Sequence, residues 1–269
     1  MDNVIKQPVL FRDLGWMEYR EAWDYQEALL KENVRIKGLI RELQAGMNQA
    51  HDSIRRREEA ENSGNDAIAT ADAIVSLPAT RHYLLFVEHP PVYTLGKSGS
   101  ISNVLINEAE RQAKGISFYH TNRGGDITFH GPEQIVGYPI LDLEQFYTDI
   151  GKYLRNLEEV IIATMADYGL KGERSPGETG VWMDAAVPGR ERKICAMGIR
   201  CSRWVTMHGF AFNVNTDLGY FDYIIPCGIQ NKKVTSMERE LGRKLDVAEV
   251  KRKLKFNFEK IFDVELRDS

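Results

Sequence analysis

The sequence predicts an α+β fold, in which one mixed β-sheet is flanked by helices. A continuous apolar run at 83–87 is typical of a buried strand, and two runs at 193–201 and 205–213 indicate a strand pair joined by Ser202 and Arg203. Other stretches repeat apolar residues at steps of three and four, which indicates helices. Since no internal repeat and no linker divides these elements, we expect a single domain over residues 1–269.

The first third of the chain predicts a strand, a long helix and a polar insertion. Residues 8–14 read as a short strand, and a helix with an apolar face follows from Tyr19 to Met47. From about 44 to 80 the chain is polar, poor in aromatic residues and dense in mixed charge. We expect this insertion to form a surface helix or a mobile segment.

The middle of the chain predicts four short strands and one helix. After the buried strand at 83–87, extended pieces are expected at 92–95, 116–119, 126–129 and 135–141. Gly137 and Pro139 suggest that the last of these is an edge strand or carries a bulge. A helix is expected from Asp149 to Tyr168, with Gly169 as its stop.

The final third predicts a short strand at 180–183, the strand pair and two helices. Thr235 and Glu238 have the spacing of a capping box, so a helix is expected to begin there. Asp246 and Glu249 repeat that spacing before the last helix.

Composition and charge exclude several function classes. The 269 residues are 43% hydrophobic and 28% charged, which is ordinary for a globular protein with a sizeable core. A net charge of −4 disfavours sequence-independent nucleic-acid binding. No apolar run approaches a membrane span, the first residues lack signal-peptide features, and three cysteines make no closed disulfide framework. We therefore expect a cytoplasmic protein without membrane or nucleic-acid partners.

The stretch from Arg123 to Gly131 is the first candidate for chemistry. Gly124 and Gly125 permit positive φ and let a ligand approach the backbone without meeting a Cβ. A short strand follows and ends at His130. The alternative is an ordinary hairpin whose glycines serve only its turn.

Among the thiols, Cys227 has the setting of a nucleophile, because it lies between a proline and a glycine in a predicted loop. The alternative for it is a buried, inert cysteine. Cys195 and Cys201 fall in phase on an apolar strand, so both are expected to pack in the core.

A nucleophilic thiol needs help to ionise, and three residues are candidates for that role: Lys193, His130 and His208. A lysine that begins a buried strand can be desolvated, which would depress its pKa and let it accept a proton. The alternatives are a snorkelling lysine at a strand end and hydrogen-bonded structural histidines. No metal-ligand spacing and no phosphate-binding motif occurs, so no cofactor is expected.

A series of blocks resembles the octanoyltransferases of lipoate biosynthesis. The first two blocks are Arg-Gly-Gly-Asp-Ile-Thr-Phe-His-Gly-Pro at 123–132 and Val-Gly-Tyr-Pro-Ile-Leu-Asp at 136–142. Gly-Val-Trp at 180–182, Lys-Ile-Cys-Ala-Met-Gly-Ile-Arg at 193–200 and His-Gly-Phe-Ala-Phe-Asn at 208–213 follow in the family's order. Pro-Cys-Gly-Ile at 226–229 and Val-Thr-Ser-Met at 234–237 complete a match that covers residues 81–240.

The resemblance implies a fold like the catalytic domains of biotin and lipoate protein ligases. It implies transfer of an octanoyl group from octanoyl–acyl carrier protein to a lysine of a lipoyl domain, through a cysteine thioester. By resemblance Cys227 is the nucleophile and Lys193 the residue that lowers the pKa of the thiol. The implied substrate-binding residues are Arg123, Gly124, Gly125, Asp126, Ile127, Thr128, Phe129, His130, Ala196, Met197, Gly198, Gly209, Phe210 and Ala211. Glycines 124, 125 and 198 would leave room for the acyl chain and offer N–H groups to a thioester oxyanion.

Two positions depart from the family pattern. Glu133 stands where a glycine is typical, and Asp126 stands where a glutamine is usual. These departures bear on loop conformation and substrate contacts rather than on the nucleophile.

Two other functions remain open at the level of sequence. A lipoate–protein ligase would share the fold but would activate a free acid with ATP, and it would need no catalytic cysteine. A silent binder of acyl carrier protein or lipoyl domain would have no reason to keep both Cys227 and Lys193.

Overall fold

The computed structural model of the protein describes residues 6–60, 78–226 and 233–269, and for residues 54–60 it describes the backbone alone. Eleven strands lie in this part of the chain. They are β1 (Gln7–Trp16), β2 (His82–Glu88), β3 (Val92–Leu95), β4 (Ser117–His120), β5 (Ile127–His130), β6 (Gln134–Ile140), β7 (Val181–Met183), β8 (Arg192–Ser202), β9 (Val205–Asn213), β10 (Lys233–Val234) and β11 (Val264–Asp268).

Five α-helices connect these strands. They are α1 (Tyr19–Ala60), α2 (Glu108–Ala113), α3 (Ile150–Ala166), α4 (Met237–Leu241) and α5 (Val247–Phe262). Short 3₁₀ helices lie at Ile101–Asn103, Leu143–Gln145 and Leu218–Tyr223.

The main sheet has eight strands and is mixed. Seven of them follow the order β10-β8-β9-β6-β2-β1-β11, and β7 pairs with β8 outside that path. Strand β1 is parallel to both β2 and β11, and β10 is parallel to β8. The pairs β2–β6, β6–β9, β8–β9 and β7–β8 are antiparallel. The predicted α+β class with a mixed sheet is confirmed.

Helices cover both faces of the main sheet. On one face α3 and α5 bury their apolar sides, with Leu157, Ile161, Leu254 and Phe258 in the core. On the other face, the beginning of α1 packs against β2, β6 and β9, with Ala22 and Leu30 buried. The apolar faces that predicted α1, α3 and α5 are therefore the faces that the sheet covers.

A second sheet of three strands lies beside the main one in the order β4-β3-β5. Its buried side chains, among them Tyr93 and Phe129, form a separate small core with the 3₁₀ helix Leu218–Tyr223. The loop that leads into β5 is bonded to β8, since the Gly124 N–H donates to the Ile199 carbonyl at 2.9 Å. This contact positions the small sheet over the middle of the large one.

Helix α1 continues well past the body of the protein. Arg41 still reaches Glu144, at 3.3 Å, but all side chains from Arg41 to Ser53 are exposed. Leu43 and Met47 are among them. The stretch 44–60 of the predicted polar insertion is thus a continuation of α1, and 61–77 lie outside the described residues.

One expectation about a single strand was wrong. Strand β6 is an interior strand, not an edge, and Pro139 is tolerated because the ladder to β9 spans only Gln134–Gly137. The helix expected to begin at Thr235 is confirmed as α4, but its N-cap is Ser236 instead of Thr235, with the Ser236 hydroxyl accepting from the Arg239 N–H. Thr235 is used elsewhere, because its own N–H donates to the Lys193 carbonyl.

Candidate active site

A cavity lies between the two sheets, below the first turn of α1. It has about 500 Å³ of empty space, part of which opens to solvent. Three separated segments supply most of its wall: the Gly-rich stretch with β5, the middle of β8, and the middle of β9. The lining residues are Tyr19, Arg123, Gly125, Asp126, Ile127, Thr128, His130, Val136, Tyr138, Lys193, Ala196, Met197, Gly198, His208, Gly209, Phe210 and Ala211.

Twelve of the fourteen predicted substrate-binding residues line this cavity, together with Lys193. The exceptions are Gly124, which lines the neighbouring opening beside Ser98 and Lys193, and Phe129. Phe129 points to the other side of β5, where its ring stacks on Tyr220 with centroids 4.6 Å apart. Side chains alternate along a strand, so Thr128 and His130 face the cavity while Phe129 belongs to the small core.

Arg123 holds the Gly-rich loop, residues 123–126, in its shape. Its guanidinium is buried and donates to the Thr94, Gly124 and Asp126 carbonyls at 2.6, 3.0 and 2.8 Å. A guanidinium offers five donors in a fixed plane, so one side chain can serve several loop carbonyls at once. The polar head of Arg123 therefore organises the backbone that borders the cavity.

Glycines are required where this loop meets β8. A Cβ on Gly198 would stand 2.7 Å from the Gly124 carbonyl oxygen, and Gly125 has φ +86°. Gly124 uses its N–H for the bond to Ile199, so the expectation that this group is offered to an oxyanion was wrong. Gly198 serves the close approach of two backbones, whereas a Cβ on Gly124 would meet the Ile199 carbonyl oxygen at an ordinary 3.5 Å.

Lys193 lies on β8 at the end of the cavity nearest β10. Only 9% of the residue is exposed, and its Nζ lies 4.5 Å from the ring centroid of Trp182. A cation above an indole face is stabilised by the ring quadrupole. The strand thus places an amine at a wall of the cavity in a largely buried, partly aromatic setting.

A chain of hydrogen bonds joins the signature stretch to the segment after β10. The His130 Nδ1 bonds to the side-chain oxygen Oε1 of Gln134 at 3.0 Å, and the Gln134 side-chain amide nitrogen donates to the Asn213 Oδ1 at 2.8 Å. Asn213 in turn donates to the Thr235 carbonyl at 2.9 Å. The Gln134 side-chain nitrogen donates to the Phe129 carbonyl and to the Asn213 Oδ1, so the Gln134 oxygen is the group that faces His130. That oxygen can only accept, and the His130 Nδ1 therefore carries the proton.

The two candidate histidines are buried and neutral. His208 bonds through Nε2 to the side-chain oxygen Oδ1 of Asn122 at 2.8 Å. Burial lowers the pKa of His208 to about 3. Burial also holds the pKa of His130 well below its usual range, with further lowering by the nearby His89 and Arg123. Groups that resist protonation to this degree are poor proton acceptors at neutral pH, so their geometry favours a structural or ligand-contacting role.

Three cavity residues were missed by the sequence reasoning. Tyr19 was assigned to the apolar face of α1, and its ring stacks on His130 with centroids 5.8 Å apart. Val136 and Tyr138 lie within the block at 136–142 but were not named as substrate-binding residues, and Tyr138 bonds to His89 at 2.8 Å. Tyr19 lies outside every block, and a motif read along one segment carries no signal for a side chain that a distant helix contributes.

The thiols separate into three cases. Cys195 is buried, and burial raises its pKa well above the ordinary range. Cys201 is exposed, so the expectation that it packs in the core was wrong; it lies at the end of β8, next to the hairpin turn. Cys227 lies outside the described residues, as do the five residues that follow it.

Both departures from the family pattern have a visible setting. Glu133 has φ +57°, a left-handed backbone that glycine adopts at the least cost, and its side chain bonds to Asn215 and Lys244. Asp126 accepts from the Asn103 amide and the Ile127 N–H, both at 2.6 Å. The aspartate thereby ties the loop to the 3₁₀ turn Ile101–Asn103.

In the part of the chain that the structure describes, no group of three His, Cys, Asp or Glu side chains is placed to hold a metal ion. Among those same residues, no helix combines the length and the apolarity that crossing a bilayer requires.

Comparison with known proteins decides the family. Residues 65–259 match the model of the lipoyl protein ligase A/B catalytic domain. An octanoyltransferase of Christiangramia forsetii is 54% identical over 264 residues, which span 98% of this chain and 99% of that protein. One of Flavobacterium johnsoniae is 53% identical over 263 residues, 97% of this chain and 100% of that protein. The chain belongs to the octanoyltransferase family. It is an acyltransferase that carries out octanoyl transfer in protein lipoylation.

Solved structures place this octanoyltransferase in the expected fold. A chain from the structural analysis of an archaeal lipoylation system, a bi-partite lipoate protein ligase and its E2 lipoyl domain from Thermoplasma acidophilum, matches with a TM-score of 0.61 and 13% identity over 98% of this chain and 87% of that chain. LipL1 of P. falciparum in complex with lipoate matches with a TM-score of 0.58 and 11% identity over 97% of this chain and 66% of that chain. At such identities the likeness concerns the fold alone.

Proposed function

We propose that the octanoyl group passes from octanoyl–acyl carrier protein to the Cys227 thiol, and from there to the side-chain amine of a lysine on a lipoyl domain. Lys193 assists by favouring the thiolate form of Cys227. The observation that carries this proposal is the cavity, which gathers the signature segments around one space and has Lys193 in its wall.

The residues on either side of Cys227 support its assignment to this place. Pro226, directly before it, lines a groove together with Lys233 and Val234. Val234 pairs with Lys193 in the ladder between β10 and β8. The residue before the thiol therefore shares a groove with β10, and β10 itself lies next to the strand of Lys193.

The chemistry needs only one thiol and one proton acceptor. The Cys227 thiolate attacks the carbonyl carbon of the donor thioester, a new S–C bond forms, and the carrier thiol leaves with a proton. The lysine amine of the lipoyl domain then attacks the enzyme thioester, an amide forms, and the Cys227 thiolate is released as the amine loses its proton. A thioester already stores the energy for amide formation, so neither ATP nor a metal ion takes part.

The cavity supplies a place for the acyl chain. Small residues form much of the wall that β8 and β9 share, since Ala196 pairs with Ala211 and Gly198 with Gly209. From Lys193 to Ile199, which pairs with His208, the strand advances by about 20 Å. The chain would extend away from Lys193 along this wall, toward the buried end formed by Tyr19, Tyr138 and His208.

The lipoyl domain enters the proposal through two findings. The family acts in lipoylation, and a structural neighbour comes from a lipoylation system that comprises a lipoate protein ligase and its E2 lipoyl domain. Because a free thiol must persist for this chemistry, we place the reaction in a reducing compartment such as the cytoplasm.

Intact-mass spectrometry tests the proposal directly. Mixing the protein with octanoyl–acyl carrier protein, without ATP or added metal, should add one octanoyl group, and peptide mapping should locate it at Cys227. A Cys227→Ser variant should take up no octanoyl group, whereas Cys201→Ser serves as the matched control and should acylate normally. An adduct on Cys195 would overturn the assignment of the thiol. Strict dependence on ATP with free octanoate, and no use of the thioester, would make the protein a ligase.

A further inference from the structure

A carboxylate on α4, Glu240, fastens the strand of Lys193 to the segment that leaves the Cys227 loop. It forms a two-pronged pair with Arg192, in which Nε and Nη2 donate to its two oxygens at 2.6 and 2.7 Å. Glu240 also accepts a hydrogen bond from the Thr235 hydroxyl, with 2.5 Å between the Thr235 Oγ1 and the Glu240 Oε1. Arg192 precedes Lys193 in the chain, and Thr235 lies eight residues after Cys227.

Thr235 is held through all of its polar groups. Its N–H donates to the Lys193 carbonyl at 2.9 Å, its carbonyl accepts from Asn213, and its hydroxyl donates to Glu240. The residue is fully buried, and Glu240 is only 11% exposed at its side chain. A buried, charge-assisted and bidentate contact restrains geometry more tightly than a surface ion pair does.

The chain before residue 227 and the chain after residue 232 are fixed to different parts of the molecule. On the N-terminal side, the Ile225 N–H donates to the Asn103 carbonyl at 2.8 Å, on the side of the small sheet. On the C-terminal side, Thr235 is fixed to β8 and to α4. The contacts of Glu240 therefore help to decide where Thr235 stands relative to Lys193.

We propose that Glu240, acting through Thr235 and Arg192, is a positioning residue for the proposed thiol chemistry: it holds the strand of Lys193 and the chain at Thr235 in a fixed register. The inference rests on the proposed roles of Cys227 and Lys193. It assigns Glu240 no contact with substrate. A displacement of about 1 Å at a proton-transfer pair is enough to weaken catalysis strongly.

The experiment follows the alkylation rate of Cys227 against pH, with each thiol distinguished by peptide mapping. Thr235→Val removes the hydroxyl at nearly constant shape, and Thr235→Ser keeps it. Glu240→Gln removes the negative charge of the carboxylate to which both Arg192 and Thr235 donate. In wild type, the pH at which the alkylation rate of Cys227 reaches half of its maximum (the midpoint) should lie below the ordinary thiol pKa of about 8.5. Thr235→Val and Glu240→Gln should move it upward by about one pH unit, which lowers alkylation at pH 7 by about tenfold, and Thr235→Ser should restore the wild-type profile.

A matched control separates positioning from general loss of stability. Asp142 forms a buried ion pair with Lys37 at the far end of the sheet, beside Val205, about 30 Å along β8 from Arg192. Asp142→Asn should lower the melting temperature at least as much as Glu240→Gln does, and it should leave the midpoint of Cys227 unchanged.

Three results would count against the inference. A wild-type midpoint in Thr235→Val and Glu240→Gln overturns it even if both melt earlier, because the contacts then serve stability alone. A midpoint that moves equally in Asp142→Asn also overturns it. If wild type has an ordinary midpoint and no octanoyl group appears on Cys227, the proposed function itself has failed, and the positioning role fails with it.

Discussion

Lys193 is the residue on which the proposed chemistry depends most. Its Nζ stands over the Trp182 ring, and a Cβ on Gly180 would lie 3.6 Å from its Cε. The position is thus shaped around the lysine stem, with an aromatic face on one side and a glycine on another. Its place in the cavity wall supports a chemical role over that of a lysine that only reaches toward solvent.

Substitution of Lys193 should separate a proton acceptor from a fixed charge. Lys193→Met keeps much of the stem and removes the amine, so acylation of Cys227 should slow by about 10²- to 10⁴-fold. Lys193→Arg should fail similarly as a base, because a guanidinium does not give up its proton. Single-turnover acylation and the pH profile of Cys227 alkylation measure both.

Near-normal rates with Arg would mean that Lys193 acts through its charge. Near-normal rates with Met as well would leave the thiol without help from Lys193, and His208 or His130 would be tested next despite their lowered pKa values.

Glu133 offers a stability test at the scale of one residue. Its φ of +57° costs a non-glycine residue about 1 kcal/mol. Glu133→Gly relieves that cost but loses the bonds to Asn215 and to the exposed Lys244. We expect its free energy of unfolding to stay within about 1 kcal/mol of wild type.

Glu133→Ala is the control for that substitution, because it loses the same side-chain bonds and gains no backbone freedom. Urea unfolding should find it about 1 kcal/mol less stable than Glu133→Gly. Equal stability of the two variants would show that the backbone strain at this position is negligible.

At the scale of elements, regular patterns predicted regular structure. The apolar periodicity of α3 and α5 and the paired runs of β8 and β9 were sufficient, because these elements bury one face against one partner. Strand β11 was missed, since Val264–Asp268 has only two apolar residues and gains its order by pairing with β1. Thr235 misled the capping prediction because its hydroxyl has a tertiary partner, Glu240, that no local pattern reveals.

The exposed part of α1 should be dispensable for acylation. Arg41 contacts Glu144, and Thr80 donates to Asp142 at 3.0 Å, so the chain leaves and re-enters the body near the same place. Replacing residues 45–76 with a short Gly/Ser linker therefore needs to span little distance. We expect acyl-enzyme formation close to wild type, measured by intact mass, and a melting temperature within a few degrees of it. A variant that fails to fold would show that the segment packs on the body.

At the scale of the whole molecule, buried histidines make the fold sensitive to acid. Desolvation lowers the pKa of His82 and His89 to about 4 and that of His208 to about 3, and holds that of His130 well below its usual range. In the unfolded chain the same groups take up protons near pH 6.5. Their contribution to stability is therefore present above about pH 6.5 and is lost as the pH falls from there toward 4.

Each such histidine should steepen the loss by about 1.4 kcal/mol per pH unit between about pH 6 and 5. Urea unfolding of wild type at pH 7.5, 6.5, 5.5 and 4.5 measures the slope. His89→Gln should reduce the slope of unfolding free energy against pH by the contribution of about one proton. His120→Gln, at an exposed position, should leave the slope unchanged. A stability that is flat from pH 7 to 5 would contradict the prediction.

The site was predictable only in part from the sequence. Residues 123–130, 196–198 and 209–211 were identified by resemblance, and the topology brings most of them to one cavity because β5 lies over β8 and β9. Tyr19 could not be identified in this way, since it lies outside every matching block, on a face of α1 whose pattern already has a simpler explanation in the core. The placement of Cys227 relative to Lys193 lies outside the described residues and stays a prediction.

Helix α1 also has a consequence for how the protein moves in solution. From Arg41 to Ala60 it extends by about 28 Å, and its side chains through Ser53 are exposed. A thin projection adds frictional drag out of proportion to its mass. The protein should therefore sediment more slowly than a sphere of 30.7 kDa, and the variant lacking residues 45–76 should lose more drag than mass.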